Sequence, residues 1–197
     1  AAQGRLILVS LRRPFRPAAP AYGQQEITAP YYPAGPTMLR FHASNARRRV
    51  IIGPVRSGKS VGCCAEIFRR ICEQRPDEQG FRRQRWLVSR AVYSELEQTT
   101  FRTWKMWFGA LGIRKGSAPF SFEMAFPHPS QDGTRVEAEL NFIALAGVED
   151  IKRMLSLDLT SAWLNDMRER ELEVVTTADA RLGQYPAKAQ GGPSWYG

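Results

Sequence analysis

Histidine and cysteine are scarce in this 197-residue chain, with two and three residues respectively. With His42 and His128 as the only imidazoles, a zinc site is not expected. Cys63 and Cys64 are adjacent and share an apolar helical stretch with Cys72. They read as a reduced, buried set and not as a disulfide framework, which points to an intracellular compartment. No apolar run approaches the ~18 residues that a membrane span requires. Leu6-Ile7-Leu8-Val9 is too short for a secretory core and runs into arginines and prolines, so no signal peptide is expected. Acids are almost missing from the first quarter of the chain. Residues 1–50 hold eight arginines against Glu26 alone, a balance of +7 that leaves +2 of the total +9 for the rest. Such asymmetry suits an acidic partner, nucleic acid first, or equally a basic solvated arm with no specific partner. No internal repeat is present.

What remains is an ordinary globular composition, 43% hydrophobic and 24% charged, in a length that suits one well-buried domain and not two large ones. The most informative stretch is Gly53-Pro54-Val55-Arg56-Ser57-Gly58-Lys59-Ser60. It matches G-x-x-x-x-G-K-[ST] at every fixed position, and its surroundings suit the motif. Arg49-Val50-Ile51-Ile52 reads as a short buried strand ahead of it. Val61, Cys64, Ala65, Phe68, Ile71 and Cys72 then recur on one helical face behind it. Gly53 and Gly58 allow the backbone to wrap so that successive N–H groups point at phosphate oxygens, aided by the positive end of the helix. In that geometry Lys59 reaches the β- and γ-phosphates and Ser60 ligates Mg²⁺. A nucleotide-binding loop is therefore predicted, with ATP and Mg²⁺ as its cofactors.

Elsewhere the chain divides coarsely. Residues 1–36 carry Pro14, Pro17, Pro20, Pro30, Pro33 and Pro36 and read as an extended leader, with the folded domain over 37–197. Phe41 to Ala46 suits a short helix or turn. Tyr32, Phe41 and His42 are candidates for contact with a nucleotide base, or packing residues. Trp86 to Ser89 reads as a second buried strand, ending at Arg90, which is either a functional group at a strand end or a surface arginine. Ser94-Glu95-Leu96-Glu97 has the form of a capping box and predicts a helix with Phe101, Trp104 and Phe108 on its apolar side. Over 120–143 the period changes to two: Phe120, Phe122, Met124 and Phe126, then Asp132-Gly133, then Val136, Ala138, Leu140 and Phe142. That is a hairpin with a broad apolar face, which absent later elements would leave exposed. Val148 to Leu155 suits a short helix, and Leu157 to Leu164 a further strand.

Hydrolysis would also require an acid near the metal and a group that orients water. Leu159-Thr160-Ser161-Ala162-Trp163-Leu164-Asn165-Asp166 is the one good downstream candidate, a hydrophobic strand ending in polar residues. Asn165 could bind Mg²⁺ through its carbonyl oxygen, weakly for want of charge. Asp166 would be the base or water-orienting carboxylate, or else a helix cap. Asp158 is a fallback metal ligand, early in the strand.

Together these residues resemble the large terminase subunit of tailed bacteriophages. The resemblance runs over about residues 31–197. It rests on Tyr31 to Pro36, the Gly53–Ser60 loop, Arg90-Ala91-Val92-Tyr93 with Leu96, Thr99 and Thr100, the run Leu155 to Asp166, and Arg181 to Pro186. It implies the ATPase half of a motor that docks on a portal protein, works with a small terminase subunit in a homo-oligomeric ring, and drives double-stranded DNA into a procapsid. It makes Lys59 and Ser60 the phosphate and Mg²⁺ ligands, Arg56 a γ-phosphate sensor, and Asp166 the occupant of a position that usually holds a catalytic glutamate. No nuclease-like pair of acids is present, so the chain reads as a fragment whose C-terminal part is missing. The expected fold is α/β: a mainly parallel sheet flanked by helices around the phosphate loop, with a hairpin inserted over 120–143. A helicase-like ATPase and a binding remnant without turnover are the alternatives.

Overall fold

The computed structural model describes residues 31–197. Residues 1–30, most of the predicted leader, lie outside the described residues, but the fold takes up the leader's last part. Tyr31 is buried, and helix α1 (Gly35–Ala43) starts with Pro36 in its first turn, where a proline costs no hydrogen bond. Met38 and His42 are the inward residues of α1.

Helix α2 (Lys59–Glu73) buries Cys64, Ala65, Ile67 and Ile71, close to the face that the periodicity predicts. Glu66 and Arg70 are buried on the same helix. Gly62 lets α1 cross closely, because a Cβ there would collide with Met38.

The sheet has five strands in the order β2-β3-β4-β1-β5. These are β1 (Phe81–Arg90), β2 (Gly112–Lys115), β3 (Phe120–Pro127), β4 (Arg135–Ala144) and β5 (Ser161–Leu164). β1 runs parallel to both β4 and β5, whereas β3 is antiparallel to β4 and to β2. Four of the five strands thus point the same way. The hairpin predicted over 120–143 is present, but it is no insertion. Its second strand is the middle strand of the sheet and pairs with β1 along ten residues, Phe81↔Arg135 through Arg90↔Ala144. Its apolar face is not exposed either. Phe120, Phe122, Met124, Phe126, Val136, Ala138, Leu140 and Phe142 are all buried. They pack with α2 and with the helical stretch that follows β1.

That stretch runs from α3 (Tyr93–Glu95) through a π-helical segment (Leu96–Phe101) into α4 (Arg102–Phe108). Its first turn carries no side-chain cap, so the capping box at Ser94 is not formed. Phe101 and Trp104 are buried against the sheet as expected. On the opposite face, α5 (Ile151–Leu155) and α6 (Leu172–Arg181) cover Leu87, Ile143 and Leu145 with Ile151, Met154, Val174 and Ala178. Among the described residues no helix is long and apolar enough to cross a membrane.

The predicted strand at 49–52 is not formed. Val50 is 74% exposed and Ile52 88%. A strand requires a neighbour to satisfy its N–H and C=O groups, and the nearest free edge is already taken. Ala162 of β5 donates its N–H to the carbonyl of Gly197 at 2.9 Å, and a Cβ added to Gly197 would collide with the carbonyl of Arg47. The backbone at Gly197 therefore stands between β5 and the segment leading to the loop.

Candidate functional site

The Gly53–Ser60 loop wraps through two left-handed residues. Gly58 caps α2 at φ 79°, where glycine is at ease, and Arg56 adopts φ 62°, which is uncommon for a residue with a side chain. Gly62 N–H bonds to Gly58 O at 2.8 Å, closing the first turn of the helix. No acidic residue lies in that turn and no side chain caps it, so its backbone N–H groups and the helix dipole favour an anion. Lys59 bends back across the loop. Its Nζ donates to Gly53 O at 2.8 Å, Pro54 O at 2.5 Å and Ser57 Oγ at 3.1 Å. Pro54, Val55 and Arg56 are exposed, while Ser57, Lys59 and Ser60 are half-buried. Among the described residues Arg56 makes no hydrogen bond or ion pair.

Beneath the loop lies a buried ionic hub on Glu66. Its carboxylate accepts from His42 Nδ1 at 2.8 Å, Arg49 Nη1 at 2.6 Å, Arg69 Nη2 at 2.7 Å and Arg70 Nε at 2.9 Å. The other ring nitrogen of His42 meets the Tyr31 hydroxyl at 2.9 Å. Burial pushes the Glu66 carboxyl upward, but the hydrogen bonds from His42, Arg69 and Arg49 outweigh it and hold the group well below the usual carboxylate range. Arg49 also stacks on Phe41 and Trp195. The hub thus pins the residues ahead of the loop to α2. The sequence pattern assigns no role to Glu66, Arg69 or Arg70, and the signal that could have found them is Glu66 and Arg70 on the apolar side of the helix.

His42 is accordingly a member of this hub and not a base contact, and Tyr32 is exposed. Phe41 lines a shallow cavity of about 310 Å³ with Thr37, Arg40, Ser44, Arg48 and Ile52. Of the base-side candidates, Phe41 alone faces an opening next to the loop in sequence.

The second group of residues collects at the carboxyl ends of the strands. Asp166 follows β5 in a left-handed conformation, φ 54°, and its Oδ2 lies 2.7 Å from Arg90 Nη2 at the end of β1. Arg90 also reaches Glu95 and Thr99. Asn165 Nδ2 donates to Thr100 Oγ1 at 3.0 Å, which leaves its carbonyl oxygen as the atom for a metal. Arg170 staples three strand ends by donating to Ser89 Oγ, Leu145 O and Asn165 O at 3.0, 2.6 and 3.1 Å. Nothing in the sequence pattern signals this arginine. Asp158 does not serve as the fallback metal ligand. It is exposed and precedes β5, at the opposite end of the strand from Asn165.

The loop and the strand-end group remain two half-sites. Among the described residues no hydrogen bond or ion pair joins Lys59 or Ser60 to Asn165 or Asp166. Nor do any three His, Cys, Asp or Glu side chains among them gather as a metal cage. The protein ligands on offer to Mg²⁺ are thus the neutral oxygens of Ser60 and Asn165, with Asp166 engaged by Arg90. That donor set fits a cation held chiefly by substrate phosphate and water.

No protein-family model matches the chain. No curated protein matches it in sequence. In structure it is similar to the large terminase from a thermophilic bacteriophage, with 13% sequence identity and a TM-score of 0.51 over 66% of this chain. The match covers 29% of that protein, so the chain spans less than a third of its length. At such identity the likeness shows a terminase-like fold.

Proposed function

We propose that this chain is the nucleotide-binding part of a terminase-like ATPase that acts on double-stranded DNA. The observation that carries the reading is the Gly53–Ser60 loop. It wraps through two left-handed residues ahead of a helix whose first turn lacks acids, with Lys59 folded over its carbonyls. Backbone N–H groups of the loop and Lys59 would hold the β- and γ-phosphates of ATP, releasing Lys59 from Gly53 and Pro54. Ser60, with Asn165 through its carbonyl oxygen, would hold Mg²⁺, which when bound neutralises charge on the phosphates. Arg56 is exposed on the loop and would reach the γ-phosphate. Asp166, with its carboxylate held by Arg90, would orient the attacking water. The net charge of +9 supports an acidic polymer as partner. Assembly with a portal protein, a small terminase subunit and further copies in a ring belongs to the same reading.

Steady-state ATP turnover by the full chain tests this. Lys59→Ala should abolish it, and Asp166→Asn should stop turnover while ATP still binds. Retained turnover in Lys59→Ala would sink the site assignment. A second reading, binding without turnover, is favoured by the neutral Asn165, which brings no charge to the metal. ATP binding with no phosphate release from the wild type would select it. A helicase-like enzyme would instead show stimulation by single strands and strand separation.

A further inference from the structure

The end of β1 places one guanidinium between two carboxylates. Arg90 Nη2 lies 2.7 Å from Asp166 Oδ2 and its Nε lies 3.0 Å from Glu95 Oε2. Neither approach is aligned as a hydrogen bond, and Nε and Oε2 have no other hydrogen-bonding partner. The directed contact of Arg90 is with Thr99, whose Oγ1 accepts from Nη1 at 2.8 Å while donating to Glu95 O at 2.6 Å. The adjacent Thr100 accepts from Asn165 Nδ2. Two consecutive threonines of the π-helical segment therefore grip residues from the tips of β1 and β5. π-Helical turns are rare and concentrate at functional sites. This one sets its threonines against the two strand ends that carry the candidate carboxylate.

We propose that Arg90 is a positioning residue for Asp166, anchored by Thr99, and that it holds the carboxylate where it can accept a water proton. The inference rests on reading Asp166 as the hydrolytic carboxylate. Arg90 has the reach for this because it sits at the last position of β1, in the strand beside β5. Its charge fixes the side chain of a residue whose backbone is already in an uncommon conformation. Glu95 Oε2 stands on the other side of the guanidinium and shares its charge. The groups facing the guanidinium are thus Asp166, Glu95 and Thr99, one from the β5 end and two from the helix.

The test is ATP turnover and ATP binding by the full chain with Arg90→Gln, Arg90→Lys, Thr99→Val and Asp166→Asn. Arg90→Gln should lower kcat by about tenfold or more with KM for ATP and binding unchanged, as expected for a misplaced catalytic group. Arg90→Lys should recover part of the loss. Thr99→Val, which leaves every charge in place, should lower kcat in the same direction and serves if Arg90→Gln does not fold. With Asp166→Asn, which should itself stop turnover, Arg90→Gln should leave ATP binding as it is in the single variant. A kcat within about twofold of wild type for both Arg90→Gln and Thr99→Val would overturn the proposal while the ATPase reading stands. A wild type that binds ATP without turnover would overturn the hydrolytic reading first, and this inference with it.

Discussion

Three arginines and a histidine converge on Glu66, a residue only 3% exposed, and no other carboxylate among the described residues is so heavily engaged. Removing it would leave several cations facing one another in a partly dry site. Glu66→Ala should therefore cost roughly 3–5 kcal/mol, the range for breaking a buried pair by deleting one partner. The pH dependence has a defined sign. The folded Glu66 carboxyl lies below its unfolded value, so its contribution is complete above roughly pH 4.3 and is lost as the pH falls toward the folded value. Urea midpoints at neutral pH and in the acid range should converge between wild type and Glu66→Gln as the pH drops. A constant gap would remove the hub as the source. Burial also pushes the Cys63 and Cys72 thiols up to about 12, and Cys64 well above its usual value. Thiolate-dependent alkylation of the native chain should then be slow at mildly alkaline pH and rapid only after unfolding. Fast native labelling of Cys63 or Cys64 would contradict their burial.

At the scale of elements, Arg170 is the more telling side chain. It closes the carboxyl ends of β1, β4 and β5 through charge-assisted bonds, each worth about 1.5–3 kcal/mol. Arg170→Ala should lower the melting temperature and blunt turnover together, because the strand tips carry Arg90 and Asp166. Intact turnover in a destabilised Arg170→Ala protein would separate the staple from the site. Trp104→Ala, in the layer between the helical stretch and the hairpin, should cost about 3–5 kcal/mol as a core truncation, read by denaturant unfolding.

The elements differ in how plainly their residues announce them. The alternation from Phe120 to Phe126 and from Val136 to Phe142 reads directly, because one face of each strand meets the core. β1 is longer than its apolar centre suggests. Arg82, Arg83 and Arg85 look like a polar loop until Glu137 and Glu139 of β4 pair with the last two across the sheet. Val50 and Ile52 carry a strand composition without a strand, since pairing depends on a neighbour that periodicity does not reveal. Ser94 lies inside its helix and caps nothing, because α3 begins one residue earlier at Tyr93. The loop motif and Asp166 are legible as chemical types. The partners that hold them, Glu66 below the loop and Arg90 and Arg170 at the strand ends, come from distant parts of the chain and are visible only once it is folded.

For the molecule as a whole, the sheet brings the tips of β1 and β5 together, while the loop stands at the head of α2 in a separate cluster of bonds. A ligand that spans both half-sites would link them, and this gives nucleotide a second role as a stabiliser of the fold. If ATP binds the folded chain alone, ATP at about 100 times its Kd adds near 2.7 kcal/mol to stability. The most direct measurement is thermal unfolding of the full chain with and without MgATP, beside Lys59→Ala. The account predicts a rise in melting temperature for the wild type and none for Lys59→Ala. No rise in the wild type, or an equal rise in both proteins, would contradict the loop as the nucleotide site.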